Sequence, residues 1–437
     1  MWPTARRFRN ALPATVDGVN QRTENILKVL LAVELAAVVV FSVRYDSLDF
    51  RIYMQGGQAL TDDASLYLRK WSGLWFTNTP FAALLFAPWS ELPLTAARVL
   101  WQLSTVAAFA SACATALKLA GHRPTRGVLL AVVAAGLLLA PVHHTLFQGQ
   151  VNVFLLALIL ADVHRVSQGR AAGIGIGIAA AVKLTPAIFI PMLLLTRRTK
   201  SAMVAGGAFL GCTALAHAVA PDASRQYWLH TFYDTSRVGR TYISNQSPYG
   251  AICRIMGSPE RVGEWFAVVP VVLAVAGLAL AAAWARRGDW PAAATVTGVT
   301  GLLVSPISWA HHWVWVMPAL LLLLRDGHRR TAGCVYVLFV LAPLWWTPHN
   351  GHPLQYGFRG PLTLVANCYL VAGLAFLAHQ ALRLRSTRNL SLTSSGPAWH
   401  LVSDKFRRGV DHEPAAEPGP QPVAPDRARA RRSLLRP

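Results

Sequence analysis

Long apolar runs recur along this chain with few interruptions, and they limit its folds more than any other feature. A bilayer's hydrocarbon core of about 30 Å asks for helices of roughly 20 apolar residues, each satisfying its own backbone hydrogen bonds. About twelve runs fit that reading, near 26–43, 93–118, 127–141, 150–164, 171–185, 186–196, 201–220, 264–285, 290–305, 309–324, 331–345 and 361–382. The expected fold class is an all-α polytopic membrane protein with about 12 transmembrane helices. Hydrophobic residues are 54% of the chain and charged ones 14%, the balance such runs need. Several runs are short, and Pro80, Pro141, Pro186, Pro306 and Pro318 predict broken or kinked helices.

Lys and Arg collect in the short cytoplasmic loops of membrane proteins, so they give an orientation. Arg6, Arg7, Arg9, Arg22 and Lys28 precede the first run. Arg123 with Arg126, Arg165 with Arg170, Arg197 with Arg198 and Lys200, Arg286 with Arg287, and Arg325 with Arg329 and Arg330 fall at alternate turns. The turns near 141–149, 185–187 and 305–309 have neither residue type. Both termini are therefore expected in the cytoplasm of a multi-pass plasma-membrane protein, with two long outer segments, 44–92 and 221–263. No Ala-x-Ala site follows the first run, which reads as an uncleaved anchor.

The net charge of +21 follows the same turns and the basic tail. Attraction to anionic lipid headgroups accounts for it, and nucleic-acid binding is not expected. Cys113, Cys212, Cys253, Cys334 and Cys368 include no C-x-x-C pair and read as small packing residues. The chain divides into a basic arm (1–25), one multi-span domain (26–383) and a Pro/Arg-rich tail (384–437) with almost no apolar periodicity, expected to be disordered. No internal repeat is visible, which weighs against transporters built from duplicated halves.

Polar residues with chemical potential sit at the ends of apolar runs. Asp49 lies just past the first run, in Ser47-Leu48-Asp49-Phe50-Arg51-Ile52-Tyr53, where a carboxylate at a membrane surface is a candidate general base. Two roles are open to it, because Asp also caps helices and one is expected to begin near Phe50. Further on come Thr77-Asn78-Thr79-Pro80, His143-His144, Gln148-Gly149-Gln150-Val151-Asn152, Lys183-Leu184-Thr185-Pro186, Asn245-Gln246-Ser247 and Ser305-Pro306-Ile307-Ser308-Trp309-Ala310-His311-His312. With the orientation above, all of these meet at one membrane face. Lys183 has a bland alternative as a lysine snorkelling to water. Gln148, Gln150 and Asn152 read equally as supports of a re-entrant turn. Successive helical residues point about 100° apart, so His311 and His312 need not face the same way. Glu34 and Asp162 fall within runs, and Asp162 is within reach of Arg165 at the interface. Tryptophans at run ends, Trp309 among them, fit an interfacial aromatic belt, with stacking on a sugar as the sharper reading.

In their order and spacing, these motifs over residues 45–325 resemble the polyprenyl-phosphate-mannose-dependent α-(1→2)-mannosyltransferases of actinobacterial envelopes, which have the GT-C membrane fold. The residues carrying the resemblance are Leu48 to Tyr53, Pro80-Phe81 through Pro88, Gly149 to Asn152, Lys183 to Pro186, Asn245 to Ser247, and Ser305 to Trp309 with His311-His312. Asn78-Thr79-Pro80 stands where relatives often read Tyr-Pro-Pro, and Ala310 where many carry a polar residue. The resemblance implies transfer of mannose, with inversion, from a polyprenyl-phosphate-mannose donor lipid to a mannosylated glycolipid acceptor in the bilayer. It makes Asp49 the base and His311 and His312 catalytic candidates. Lys183, Gln148, Gln150, Asn152, Asn245, Gln246 and Ser308 become candidates for binding the donor phosphate or sugar. No metal or other cofactor is expected, since neither Asp46 with Asp49 nor Asp62 with Asp63 has a third acidic ligand. A lipid-phosphate arabinose donor and a lipid flippase are the competing functions.

Overall fold

In the computed structural model, which describes residues 20–60, 65–350 and 356–394 and side chains to residue 386, all twelve apolar runs are helical. The arm to residue 19, the Asp62-Asp63 pair and the tail beyond 394 lie outside the described residues. The first part of the chain forms α1 (Gln21–Arg44), α2 (Leu48–Gln58), a hairpin of β1 (Lys70–Trp71) and β2 (Leu74–Trp75), α3 (Pro80–Ser90) and α4 (Leu94–Leu119). Then come α5 (Arg126–Leu137), α6 (Ala140–Gln148), α7 (Asn152–Ser167), α8 (Ile174–Val182), α9 (Phe189–Leu195) and α10 (Thr199–Val219). The second half holds α11 (Pro221–Gln226), α12 (Pro248–Met256), α13 (Val268–Arg286), α14 (Trp290–Val304), α15 (Val316–Arg325), α16 (Arg329–Leu341), α17 (Pro361–Ala366) and α18 (Cys368–Ser394). One compact unit ends at Leu384, and a second begins at Arg385.

Length separates the helices. By length and composition, four are able to cross a membrane among the described residues: Gln21–Arg44, Leu94–Leu119, Thr199–Val219 and Glu264–Arg286. Joining α5 and α6, which meet at 71°, makes five. The other expected spans are shorter, and the cause is often proline. Pro141 opens α6, Pro186 opens the 3₁₀ turn Thr185–Ile188 before α9, and Pro306 follows the end of α14. A proline lacks the N–H that would continue a helix, and it disfavours helical geometry in the residue before it. The helices long enough to span turn apolar side chains outward: Val33 is 61% exposed, Met203 74% and Val275 65%. Such faces suit lipid and not water.

Inside, small residues bring helices close. α13 packs along α14, α10 against α8, α4 against α7 and α2 against α3. At Gly57 the backbones of α2 and α3 touch, because a Cβ there would lie 2.7 Å from the Ala87 nitrogen. Local signals set the helix starts. Thr79 accepts from Ala82 N–H at 3.2 Å with Pro80 following it, and Ser247 accepts from Gly250 N–H at 3.0 Å with Pro248 following it. The hairpin turns at Ser72 (φ 47°) and Gly73 (φ 87°), the paired positive angles of a tight two-residue β-turn.

Candidate active site

Asp49 is held by aromatic packing of its helix. Its neighbour Phe50 is fully buried and stacks on Trp101 of α4 at 5.5 Å, while Tyr53 lies 4.7 Å from Phe86 of α3. This fixes α2 and sets Asp49, in its first turn, toward the junction of α6 and α7. That junction turns at Gly149 (φ 72°), whose carbonyl accepts from Trp101 Nε1 at 2.9 Å. The left-handed turn ends α6 and brings Gln150 inward. The helix cap at α2 is Ser47 and not Asp49, so the capping role open to Asp49 in the sequence is not the one it has.

Gln150 donates from Nε2 to Asp49 Oδ2 at 2.6 Å, and its Oε1 accepts from the Tyr53 hydroxyl at 2.6 Å. An ionised carboxylate only accepts, so it selects the NH₂ end of the amide, and the phenol then holds the other end. Asp49 is half-buried, and its Oδ1 has no hydrogen-bond partner among the described residues. Enclosure raises its carboxyl above the usual range, opposed by the Gln150 hydrogen bond and the charge of Lys183. Burial and the Asp49 charge likewise push the Tyr53 phenol up, which keeps it a donor.

Lys183 follows α8 and its ammonium donates to Asn152 Oδ1 at 3.2 Å, with His312 Nε2 2.7 Å away. Asn152 in turn donates from Nδ2 to the His311 carbonyl at 3.0 Å, so α7 braces both the lysine and the histidine segment. A cavity of about 570 Å³ opens here. Tyr53, Asn78, Gln150, Lys183, Trp309 and His312 line its polar part, and Ile188, Pro191, Ala274, Leu278 and Val304 its apolar part. Polar groups able to fix a sugar phosphate and an apolar wall able to take a hydrocarbon chain thus share one space.

The structure separates the two histidines. His312 faces the cavity; the His311 ring packs 5.5 Å from His144 on α6, and its carbonyl accepts from Thr145 as well as Asn152. Gln148 is half-buried at the end of α6 and does not line the cavity. Asn245, Gln246 and Ser308 are fully buried and bonded to backbone. Asn245 donates to the Arg240 and Pro306 carbonyls and accepts from Ser308 N–H at 2.9 Å. Gln246 donates to the Ile243 and Ala366 carbonyls, and Ser308 to the Leu302 carbonyl. Asn245 ties the 221–263 segment to the loop after α14, and Gln246 ties it to α17. Asp162 accepts from Ile176 N–H at 2.9 Å and pairs with Arg165 at 3.8 Å, a structural role at the start of α8. Glu34 Oε2 is buried without a hydrogen-bond partner among the described residues.

Asn78, named in the sequence within Thr77-Asn78-Thr79-Pro80 but given no role, lines the cavity, as does Arg237, which the sequence reading did not single out. Asn78 carried a signal, standing next to the Thr79-Pro80 helix start. Arg237 carried none beyond being a basic residue in an outer segment.

Four helices long and apolar enough to cross a membrane place the chain among helical membrane proteins by length and composition, and sequence comparison gives the family. Residues 76–306 match Glycosyltransferase family 87. The chain is 32% identical over 330 residues, 69% of its length and 76% of the relative, to a polyprenol-phosphate-mannose-dependent alpha-(1-2)-phosphatidylinositol mannoside mannosyltransferase of Mycobacterium tuberculosis. It is 28% identical over 377 residues, 82% of its length and 91% of the relative, to the corresponding pentamannoside mannosyltransferase of Mycolicibacterium smegmatis. No solved structure matches it. The chain belongs to glycosyltransferase family 87 and is a glycosyltransferase.

Proposed function

We propose that this enzyme moves mannose from polyprenyl-phosphate-mannose to a hydroxyl of a mannosylated glycolipid such as a phosphatidylinositol mannoside, forming an α-(1→2) bond on the outer face of the plasma membrane. The relatives' activities support the donor and linkage. In this reading the helices form a GT-C type bundle of about twelve spans, the shorter ones crossing as broken or tilted segments. The observation that carries the chemistry is the Asp49–Gln150 hydrogen bond at the wall of the cavity that Lys183 and His312 line.

Asp49 Oδ1 takes the proton of the acceptor hydroxyl as that oxygen bonds to the anomeric carbon from the face opposite the phosphate. The bond from the anomeric carbon to the phosphate oxygen breaks, and its electron pair leaves with polyprenyl phosphate. Lys183, with its hydrogen-bonding neighbour His312, stabilises the charge that develops on that phosphate. Gln150 and Tyr53 hold the base in place, and Asn152 holds the lysine.

The test uses membranes containing the enzyme, labelled polyprenyl-phosphate-mannose and a phosphatidylinositol mannoside fraction. A general base contributes about 100-fold or more, so Asp49→Asn at equal membrane level should lose at least that much transfer. Full activity in the variant would move the base elsewhere. No transfer by the wild type, with release of labelled arabinose from the corresponding arabinose donor, would overturn the mannose assignment.

A further inference from the structure

Among the residues lining the cavity, Lys183 and Arg237 are the two Lys or Arg side chains. Lys183 is committed to Asn152 and His312. Arg237 is held in another way. Its guanidinium lies over the Trp75 ring at 4.2 Å, donates from Nη1 to Thr231 Oγ1 at 3.0 Å, and donates from Nη2 to the Tyr67 carbonyl. Three of its five N–H donors therefore have no protein acceptor among the described residues. Among the described residues Arg237 forms no ion pair within 4.0 Å, although the charge of Asp234 acts on it. Asp234 also lines the cavity, and its Oδ1 accepts from both Ser236 N–H at 2.9 Å and Ser236 Oγ at 2.5 Å. Lys70 shares the same indole, 5.9 Å from its centre, and adds a second positive charge at this rim.

A planar fork braced on an aromatic ring, with donors in reserve, suits bidentate recognition of a phosphate ester. The same cavity has an apolar wall at Phe232, Leu278 and Val304, which suits a lipid chain joined to that phosphate. We propose that Arg237, oriented by Trp75, Thr231 and the Tyr67 carbonyl, is a second phosphate handle of this site and binds the phosphodiester of a lipid substrate. This rests on the lipid-substrate reading above, and the phosphate belongs either to the polyprenyl donor or to the phosphatidylinositol of the acceptor.

The experiment measures binding of polyprenyl phosphate, phosphatidylinositol and phosphate-free polyprenol to the detergent-solubilised full chain, alongside KM for donor and acceptor. Arg237→Gln should weaken one phosphorylated lipid about tenfold and leave polyprenol unchanged. Arg237→Lys, which keeps the charge and loses the fork, should fall between. Weakened polyprenyl phosphate with a raised donor KM assigns the donor phosphate; weakened phosphatidylinositol with a raised acceptor KM assigns the acceptor. Equal loss of all three lipids would make Arg237 a structural brace, and unchanged binding and KM would remove it from recognition; either overturns the proposal. If the wild type transfers no sugar yet its lipid-phosphate binding falls in Arg237→Gln, the handle stands while the transferase reading fails.

Discussion

At the scale of single residues, the site turns on one amide. Gln150 stabilises the charged form of Asp49 by donating to it, against an enclosure that favours the neutral form. A base must be ionised to act, so transfer should fall as acidity rises through a carboxyl held above the usual carboxylate range. In Gln150→Leu the opposing hydrogen bond is gone and that carboxyl rises further. The acid limb of the kcat/KM profile should then move to higher pH, with the lost rate partly recovered on the alkaline side; an unmoved limb would detach the limb from Asp49. Part of this was legible in the sequence. Asp49, Gln150, Asn152, Lys183 and His312 each stood at the end of an apolar run; Gln150, Lys183 and His312 line one cavity, and Asp49 and Asn152 lie behind its lining, hydrogen-bonded to Gln150 and Lys183. Asn245, Gln246 and Ser308 looked the same in sequence, yet their polar groups pair with backbone, because a buried loop must satisfy its own carbonyls and N–H groups before it offers anything to a ligand. The Ser247-Pro248 helix start beside them was the available hint of a structural role.

At the scale of elements, the precision of the site depends on how α2 meets the α6–α7 turn. Gly149 holds a positive φ, and a Cβ on it would lie 2.5 Å from Cβ of Phe50, the residue next to Asp49, the proposed base. Gly149→Ala therefore combines left-handed strain of about 1 kcal/mol with a collision that separates α2 from the turn. Because Gln150 follows directly, the variant should lose transfer by more than its fall in thermal stability explains, read as kcat on protein still folded at the assay temperature. Loss of stability with kcat intact would mean that the turn supports the fold alone. The twelve apolar runs each hold helix, but α3, α11 and α12 fall outside them, and the runs did not fix every helix end. A proline in an apolar run marks a break, whereas the direction of the chain beyond it, as in the 71° bend between α5 and α6, depends on packing partners far away in sequence.

At the scale of the whole molecule, orientation in the bilayer decides whether the cavity meets lipid-borne substrate from outside the cell. Two independent features bear on it. The turn between α7 and α8 lies among Arg165 and Arg170, and such clusters mark cytoplasmic loops. In the proposed topology the β-hairpin lies on the opposite side, next to the cavity through Arg237 over Trp75. Gln168 is exposed in the first and Leu74, 46% exposed, in the second, so each offers a cysteine to solvent with little cost to packing. With the five native cysteines replaced, a membrane-impermeant thiol reagent on intact cells should label Leu74→Cys and spare Gln168→Cys, and inside-out vesicles should reverse the pattern. Labelling of Gln168→Cys in intact cells would turn the molecule over. The cavity would then open to the cytoplasm, and Lys and Arg would crowd the outer turns, against the bias that sets orientation in short loops.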